Sequence, residues 1–181
     1  MKKTILFIAL IATSGFLFAQ KKTTTSATVS FDATTPKDAL PKAENNSVVG
    51  SIDTKTGEVA FEAAVKNFSF SSPRMQEHFN SANWLNSNEF PKFTYTGKIE
   101  DLKKVKFTKD GIYKVKVNGD LTVKGITQKV KVDGAITVAS GKISVRASFS
   151  IKLADFGISR QAPIEAGKVS KEPEINVSAE F

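Results

Sequence analysis

The sequence predicts an all-β protein built from a single sheet with one apolar face. The first observation is that apolar and polar residues alternate in run after run from about Ala27 to the C-terminus, which places one residue type on each face of a strand. One such run has Val115, Val117, Leu121 and Val123 on the same face. The second observation is that about eight of these runs follow one another, separated by turn residues. A sheet of this size usually closes on itself, so its apolar face would line the interior of a barrel.

Residues 1–19 are predicted to be a secretory signal peptide that precedes the sheet. Lys2 and Lys3 come before an apolar run, and Ala19 offers a small residue for cleavage ahead of a polar stretch. The run is too short for a transmembrane helix. We therefore expect a mature chain of residues 20–181 that forms one domain, has no transmembrane segment and is periplasmic or secreted.

The N-terminal half provides three strands. A Thr-rich start at residues 21–26 is predicted to be mobile, and a first strand ends near Pro36 in a proline-containing loop. A second strand alternates around Gly50, and a turn at Thr56-Gly57 leads into a third.

The alternation slips after the third strand. Val65 is the last apolar residue at an odd position, whereas Phe68 and Phe70 continue the pattern at even positions. One extra residue near Lys66-Asn67 therefore predicts a β-bulge, which bends a strand where a barrel curves.

Residues 71–90 break the alternation and predict a short helical segment. Ser72 can cap a helix that has Pro73 at its first position, and Met75 and Phe79 lie four residues apart on one helical face. Three further apolar residues follow, namely Trp84, Leu85 and Phe90. We expect this segment to lie across one mouth of the barrel as a lid.

Strands resume after residue 92 and continue to the C-terminus. A lysine-rich loop at residues 101–106 precedes two long hairpins, whose turns are predicted at Gly125 and Ser140-Gly141. Residues 155–173 contain glycine and proline with little alternation, so they predict an ordered loop or a poor strand before the last strand.

The sequence contains no recognisable catalytic or metal-binding motif. His78 is the only histidine, and a lone histidine lacks the partners that a metal centre or a Ser-His-Asp triad needs. The absence of cysteine excludes disulfides and thiolate ligands. Asp120, Asp133 and Asp155 are interpreted as surface charges, although the sequence leaves a glycosidase-like carboxylate pair open. We predict no enzyme activity, no metal and no cofactor.

A formal net charge of +8 raises the question of an anionic partner. Four lysines on neighbouring strands could form a basic stripe, namely Lys114, Lys116, Lys129 and Lys131. A nucleic-acid surface also needs exposed aromatic residues for base stacking, and these strand faces carry none. We interpret the charge as a solvated barrel exterior and predict no nucleic-acid binding.

The apolar face could lie inside a soluble barrel or outside an outer-membrane barrel. A membrane barrel needs girdles of tryptophan and tyrosine, whereas this sequence has one Trp and two Tyr. We therefore place the apolar face inside, where phenylalanines alternate with glycine and alanine. The small residues either complement the aromatic rings in a filled core or leave a cavity, and the sequence keeps both alternatives open.

Several motifs, in order along the chain, resemble the YceI-like family. A helical turn with Arg74 and His78 is followed by Phe90-Pro91, and residues 119–127 match a Gly-x-Leu-Thr-hydrophobic-x-Gly-hydrophobic-Thr hairpin. An Asp-Phe-Gly-Ile segment follows at residues 155–158, and residues 175–181 resemble the closing strand of the family. The chain departs from the family at its front, where residues 28–31 and a longer proline-containing loop replace the usual opening strand.

The resemblance implies an eight-stranded antiparallel lipocalin-like barrel, exported by bacteria, that encloses a polyisoprenoid or other lipid beneath the helical segment. Our hypothesis is an exported protein that sequesters an isoprenoid or fatty-acyl chain. The alternative is a filled barrel that serves as a non-catalytic interaction or structural module of the cell envelope, and a homodimer is compatible with either. The residues predicted to bind the ligand are Phe31, Phe61, Phe68, Phe79, Trp84, Phe93, Val117, Leu121, Val132, Ile136 and Phe149.

Overall fold

The computed structural model describes residues 21–159 and 161–181 and confirms the all-β fold class as a closed antiparallel barrel. Its strands are β1 (Lys21–Asp32), β2 (Lys42–Asp53), β3 (Glu58–Ala64), β4 (Ser69–Phe70), β5 (Lys92–Ile99), β6 (Gly111–Val123), β7 (Ile126–Ala139), β8 (Lys142–Ser150) and β9 (Glu174–Glu180). Eight of them form the barrel in the order β1, β2, β3, β5, β6, β7, β8, β9, and β9 pairs back with β1. The two-residue β4 pairs with the start of β2.

Two helices accompany the barrel, α1 (Pro73–Asn80) and α2 (Ala162–Glu165). None of the described helices has the length and apolarity needed to span a membrane. The predicted signal peptide at residues 1–19 lies outside the described residues, so it stays a prediction.

The Thr-rich start of the chain is part of β1, so the prediction that it is mobile is wrong. Lys21 pairs with Asp53 and Thr24 pairs with Gly50, so the C-terminal end of β2 has β1 as its neighbouring strand. The register shifts between Thr24 and Val29, and the second half of β1 then pairs with both β2 and β9. The strand was not predicted because residues 21–26 contain no apolar residue, so they show no alternation of apolar and polar side chains. Threonine itself nevertheless favours strands.

The interruption after β3 lies where the sequence placed it, but it is a turn and not a bulge. Val65–Asn67 form a 3-10 turn, and the N–H of Phe68 donates to the Val65 carbonyl at 3.3 Å. Continuing the β2–β3 register would pair Ala43 with Phe68, whereas Ala43 pairs with Phe70. Two residues are therefore inserted, and two provide enough chain for a complete tight turn, which a one-residue bulge does not form.

The two predicted hairpin turns are confirmed. Lys124 and Gly125 have φ angles of 51° and 76°, and Ser140 and Gly141 have φ angles of 50° and 80°. Two successive left-handed residues form the tight turn whose twist matches the twist of the flanking strands. These turns fix the register of β6 against β7 along all of β6, and that of β7 against β8 for the six residues nearest the second turn.

Some small inward residues make room for rings instead of leaving empty space. Gly97 and Gly119 pair directly across β5 and β6, and the Tyr95 side chain covers both of them. A Cβ atom at Gly119 would lie 2.6 Å from Cζ of Tyr95 and against a backbone carbonyl. Gly50 accommodates the ring of Phe61 in the same way, with a Cβ–Cε1 distance of 2.8 Å.

One end of the barrel is filled with aliphatic side chains. We call this group the closed-end cluster, and it comprises Ile52, Ile99, Val105, Val115, Ile136, Val138 and Ile143. Leu102 and Phe107 of the β5–β6 loop pack against it. The other half of the interior has alanines at its buried wall positions and phenylalanines projecting between them. The interior therefore differs from end to end, and the aromatic half contains the candidate site.

The covered glycine of β6 gives a test of this packing. We expect Gly119→Ala to lower the free energy of unfolding by about 2–3 kcal/mol, because its methyl group would overlap Tyr95 and a backbone carbonyl. Gly141→Ala is the control, because no atom lies within 4 Å of its Cβ position. Only the strain of an alanine at positive φ should lower its free energy of unfolding, by about 1 kcal/mol. Urea denaturation of both variants measures the difference, and equal losses would contradict the packing described here.

Candidate ligand-binding site

A cavity of about 600 Å³ occupies the aromatic half of the barrel. Ten of the eleven predicted ligand-binding residues line it: Phe31, Phe61, Phe68, Phe79, Trp84, Phe93, Val117, Leu121, Val132 and Phe149. Ile136 lies instead in the closed-end cluster, where it is 1% exposed. The structure thus assembles most of the predicted set around one space, and their contact with a ligand stays a prediction.

Incomplete burial of inward phenylalanines shows that this space is not filled by side chains. Phe31, Phe61, Phe93 and Phe149 lie on the apolar face of their strands, yet each is only partly buried. Inward residues of the closed-end cluster are fully buried by comparison. Rings that border an internal space have no neighbouring atoms on one side, so they keep accessible surface. Of the two alternatives that the sequence left open, the structure shows a cavity.

The sequence pattern missed part of the lining. Residues 155–173 were predicted only as an ordered loop or a poor strand, but Ile158, Pro163 and Val169 reach the cavity from this segment. The loop folds through a 3-10 turn (Leu153–Phe156), and the N–H of Leu153 donates to the Lys171 carbonyl at 3.0 Å. These apolar residues follow no period because each is positioned by a turn. The Asp-Phe-Gly-Ile segment at residues 155–158 is the sequence signal that could have pointed to them.

The helix α1 forms the predicted lid over the cavity. Met75 and Phe79 line the cavity from one face of the helix, as their four-residue spacing predicts. Ser72 occupies the N-cap position before Pro73, although its hydroxyl makes no capping hydrogen bond. Trp84 and Leu85 also line the cavity, and Leu85 is buried there in the apolar wall.

A group of phenylalanines attaches the lid to the barrel. The ring of Phe79 stacks on Phe31 at a centroid distance of 5.4 Å and contacts Phe70 at 4.9 Å and Phe68 at 5.9 Å. No residue of α1 is fully buried, so the helix has little other apolar anchoring. The position of the lid therefore depends on one aromatic side chain.

Tyr95 contributes a half-buried phenol hydroxyl to the wall of the cavity. This hydroxyl donates to the Val117 carbonyl at 3.3 Å, and burial raises the pKa of Tyr95 to about 12. The phenol stays neutral near pH 7 because a buried charge is costly. Among the described lining residues, the charged ones are Asp38, Arg74 and Lys168, which belong to α1 and the loops around the opening. We call this opening, between α1, residues 33–41 and residues 153–173, the mouth.

On the outer surface, three of the four lysines of the basic stripe contact carboxylates, and two of these carboxylates, Asp120 and Asp133, are ones that the sequence analysis singled out. Lys116 contacts Asp133 at 2.6 Å, and Lys129 contacts Asp120 at 2.7 Å. Lys131 contacts Glu100 at 3.0 Å. Hydrogen bonds from Lys131 and Asn118 lower the pKa of Glu100.

The pairing bears on two sequence interpretations. Three of the four lysines of the basic stripe have carboxylate partners, so the stripe is not a continuous cationic surface. Within residues 21–159 and 161–181, no three His, Cys, Asp or Glu side chains lie close enough together to hold a metal ion. His78 lines the cavity from α1 without a second histidine or cysteine partner, since the sequence has neither.

Comparison with known proteins gives a family and a set of similar folds. The family model of the YceI-like domain matches residues 16–181. No curated protein matches the sequence. Burkholderia cenocepacia BcnA superposes with a TM-score of 0.72 at 15% identity, over 86% of this chain and 96% of that one. A polyisoprenoid binding domain from Saccharophagus degradans, described as implicated in plant cell wall breakdown, gives 0.73 at 13% identity, over 88% and 95%. The Campylobacter jejuni YCEI protein gives 0.59 at 18% identity, over 100% and 90%.

Substitution to tryptophan on β8 tests whether the space is present in solution. We expect Ala147→Trp to change the free energy of unfolding by less than about 1 kcal/mol, because Ala147 borders the cavity and the new ring can enter it. Ile143→Trp, four residues away on the same strand face, should cost about 1–3 kcal/mol because Ile143 is 1% exposed in the closed-end cluster. Chemical denaturation of the pair measures this contrast, and similar losses at both positions would argue for a filled interior.

The anchoring of the lid can be tested separately. Phe79→Ala removes three ring contacts, so we expect a loss of about 2 kcal/mol of unfolding free energy and faster proteolysis within α1. Glu77→Ala on the exposed side of the same helix should change stability by less than about 0.5 kcal/mol. If limited proteolysis and denaturation do not distinguish the two variants, Phe79 does not anchor the lid.

Proposed function

The chain belongs to the family of YceI-like domains, and from this premise we propose that it is an exported lipid-binding protein that holds an isoprenoid chain, such as a quinone tail, or a fatty-acyl chain inside its barrel. The observation that carries the proposal is the apolar cavity of about 600 Å³ beneath α1. Its volume lies within the range of about 300–1,000 Å³ that is usual for small-molecule sites. One structurally similar protein, from Saccharophagus degradans, is described as a polyisoprenoid binding domain, which supports the same ligand class.

The lining favours retention of an apolar chain by burial. Removing about 400 Å² of ligand surface from water contributes a gross term of about 10 kcal/mol. Association and ordering costs reduce this value, but micromolar affinity remains reasonable. The strand walls offer a ligand hydrocarbon side chains and a tyrosine hydroxyl that already bonds to the backbone. These groups support binding and provide no nucleophile with an adjacent base, so the proposed role is non-catalytic.

Export is part of the proposal. The charged and then apolar start of the sequence, with Ala19 before a polar stretch, supports cleavage of a signal peptide and a periplasmic or secreted mature protein. An extracytoplasmic location would suit a carrier of membrane-derived lipids, because such molecules must cross an aqueous compartment inside a protein cavity.

The alternative function, a filled barrel that acts as an interaction module, requires an interior without usable space. The partly accessible phenylalanines around the cavity oppose it. The lipid-binding function therefore stands ahead of the alternative.

Organic extraction and mass spectrometry of the mature protein, purified from its own compartment, test the proposal. We expect one isoprenoid or acyl species at near-stoichiometric amount, absent from a blank of protein that was denatured and washed. Ala147→Trp purified in parallel should retain less of it because the indole occupies the cavity. An empty, stable protein whose unfolding temperature does not respond to added quinones or fatty acids would contradict lipid binding.

A further inference from the structure

The helix α1 presents a polar stripe to the cavity beside its apolar one. Arg74 and His78 are four residues apart, so their side chains lie on one side of the helix. Both line the cavity, as do Met75 and Phe79 on the adjacent stripe. A lid that only sealed an apolar space would need only the apolar stripe of Met75 and Phe79. The polar stripe therefore requires its own explanation.

The mouth has an excess of basic groups. Lys168 lines it opposite α1, and the only carboxylate among the described lining residues is that of Asp38. Oδ1 of this carboxylate accepts a hydrogen bond from the N–H of Leu40 at 2.9 Å, so it is partly committed to its own loop. Just outside the lining, Nζ of Lys37 donates to the Ala166 carbonyl at 3.1 Å and adds a further positive charge beside the mouth.

These cations differ from the lysines of the outer surface in lacking partners. Neither Arg74 nor Lys168 forms an ion pair with any residue that the structure describes, whereas Lys116, Lys129 and Lys131 each contact a carboxylate. Glu77 is on the same helix as Arg74, but it forms no ion pair with Arg74 and does not line the cavity. The basic groups at the mouth are therefore free to pair with a ligand.

We propose that the mouth selects lipids whose apolar chain ends in an anionic oxygen head group, a carboxylate or a phosphate. The proposal rests on the proposed lipid-binding function and adds the chemistry of the head group. The guanidinium of Arg74 can pair with two oxygens at once, and Lys168 supplies a point charge. A head group held between these side chains would remain at the rim while the chain fills the space beneath Phe79. Neutral alcohols and quinones gain no such pairing, and an ammonium group is repelled.

A matched ligand series tests the head-group preference. Wild-type protein loaded with Nile red is titrated with hexadecanoate, hexadecyl phosphate, hexadecanol and hexadecylamine, which share one chain and differ in charge. We expect the two anions to bind about two- to fivefold more tightly than hexadecanol, since one exposed ion pair is worth up to roughly fivefold. The preference should shrink in about 1 M NaCl, where the screening length falls to about 3 Å. The ratio between carboxylate and phosphate then distinguishes a fatty acid from a phosphorylated isoprenoid as the source.

Variants assign the preference to the mouth. The double variant Arg74→Gln/Lys168→Gln should lose most of the preference for anions and keep the hexadecanol affinity of the wild type. Lys103→Gln, an exposed lysine in the turn at the closed end, is the matched control and should leave both affinities unchanged.

The outcomes separate the two proposals. Equal binding of hexadecanoate and hexadecanol by the wild type, or an anion preference that persists in the double variant, overturns the head-group proposal and leaves lipid binding in place. Failure of every chain to displace Nile red overturns both.

Discussion

The pairing of β1 with both β2 and β9 is the constraint on which the rest of the structure depends. It closes the sheet, so every barrel strand has a neighbouring strand on both sides, and it makes one face of every strand an interior. Closure also demands a bend in β1, which the register shifts between Thr24 and Val29 provide. A closed sheet fixes the positions of all inward side chains at once. The sizes of the side chains that face each other across the interior therefore decide which part is filled and which part is a cavity.

The barrel separates two kinds of packing along its axis. β-branched and other aliphatic residues of the closed-end cluster are buried and pack against one another. Toward the mouth, phenylalanines stand between alanines, and rings of this size in a barrel of this width cannot fill the interior completely. The lid joins this second region through Phe79, so its attachment and the cavity share the same aromatic contacts. A ligand entering the cavity would necessarily meet the residues that hold the lid.

The positive charge of the protein is distributed in two ways. On the outer surface, lysines of neighbouring strands contact carboxylates across the ladder, so they contribute little to stability and create no continuous basic patch. At the mouth, Arg74 and Lys168 face the cavity with a single opposing carboxylate. Net charge alone does not distinguish these arrangements, and only the second places charge where a bound lipid would end.

Local patterns in the sequence determined the strands, the hairpin turns and the helix, because the period of two, the left-handed turn residues and the Ser-Pro start of α1 act over a few neighbouring residues. They also identified most of the cavity wall, since inward phenylalanines can be read from alternation. The tertiary structure decided the rest. It made a strand of the Thr-rich start, because only pairing with β2 orders a segment that has no apolar residues of its own. It also inserted two residues after β3, relative to the register against β2, and so formed a turn there. It also decided that Gly97 and Gly119 accommodate Tyr95, that Ile136 belongs to the closed-end cluster, and that Arg74 and Lys168 both line the cavity. Each of these depends on contacts between residues far apart in sequence, and no local period carries that information.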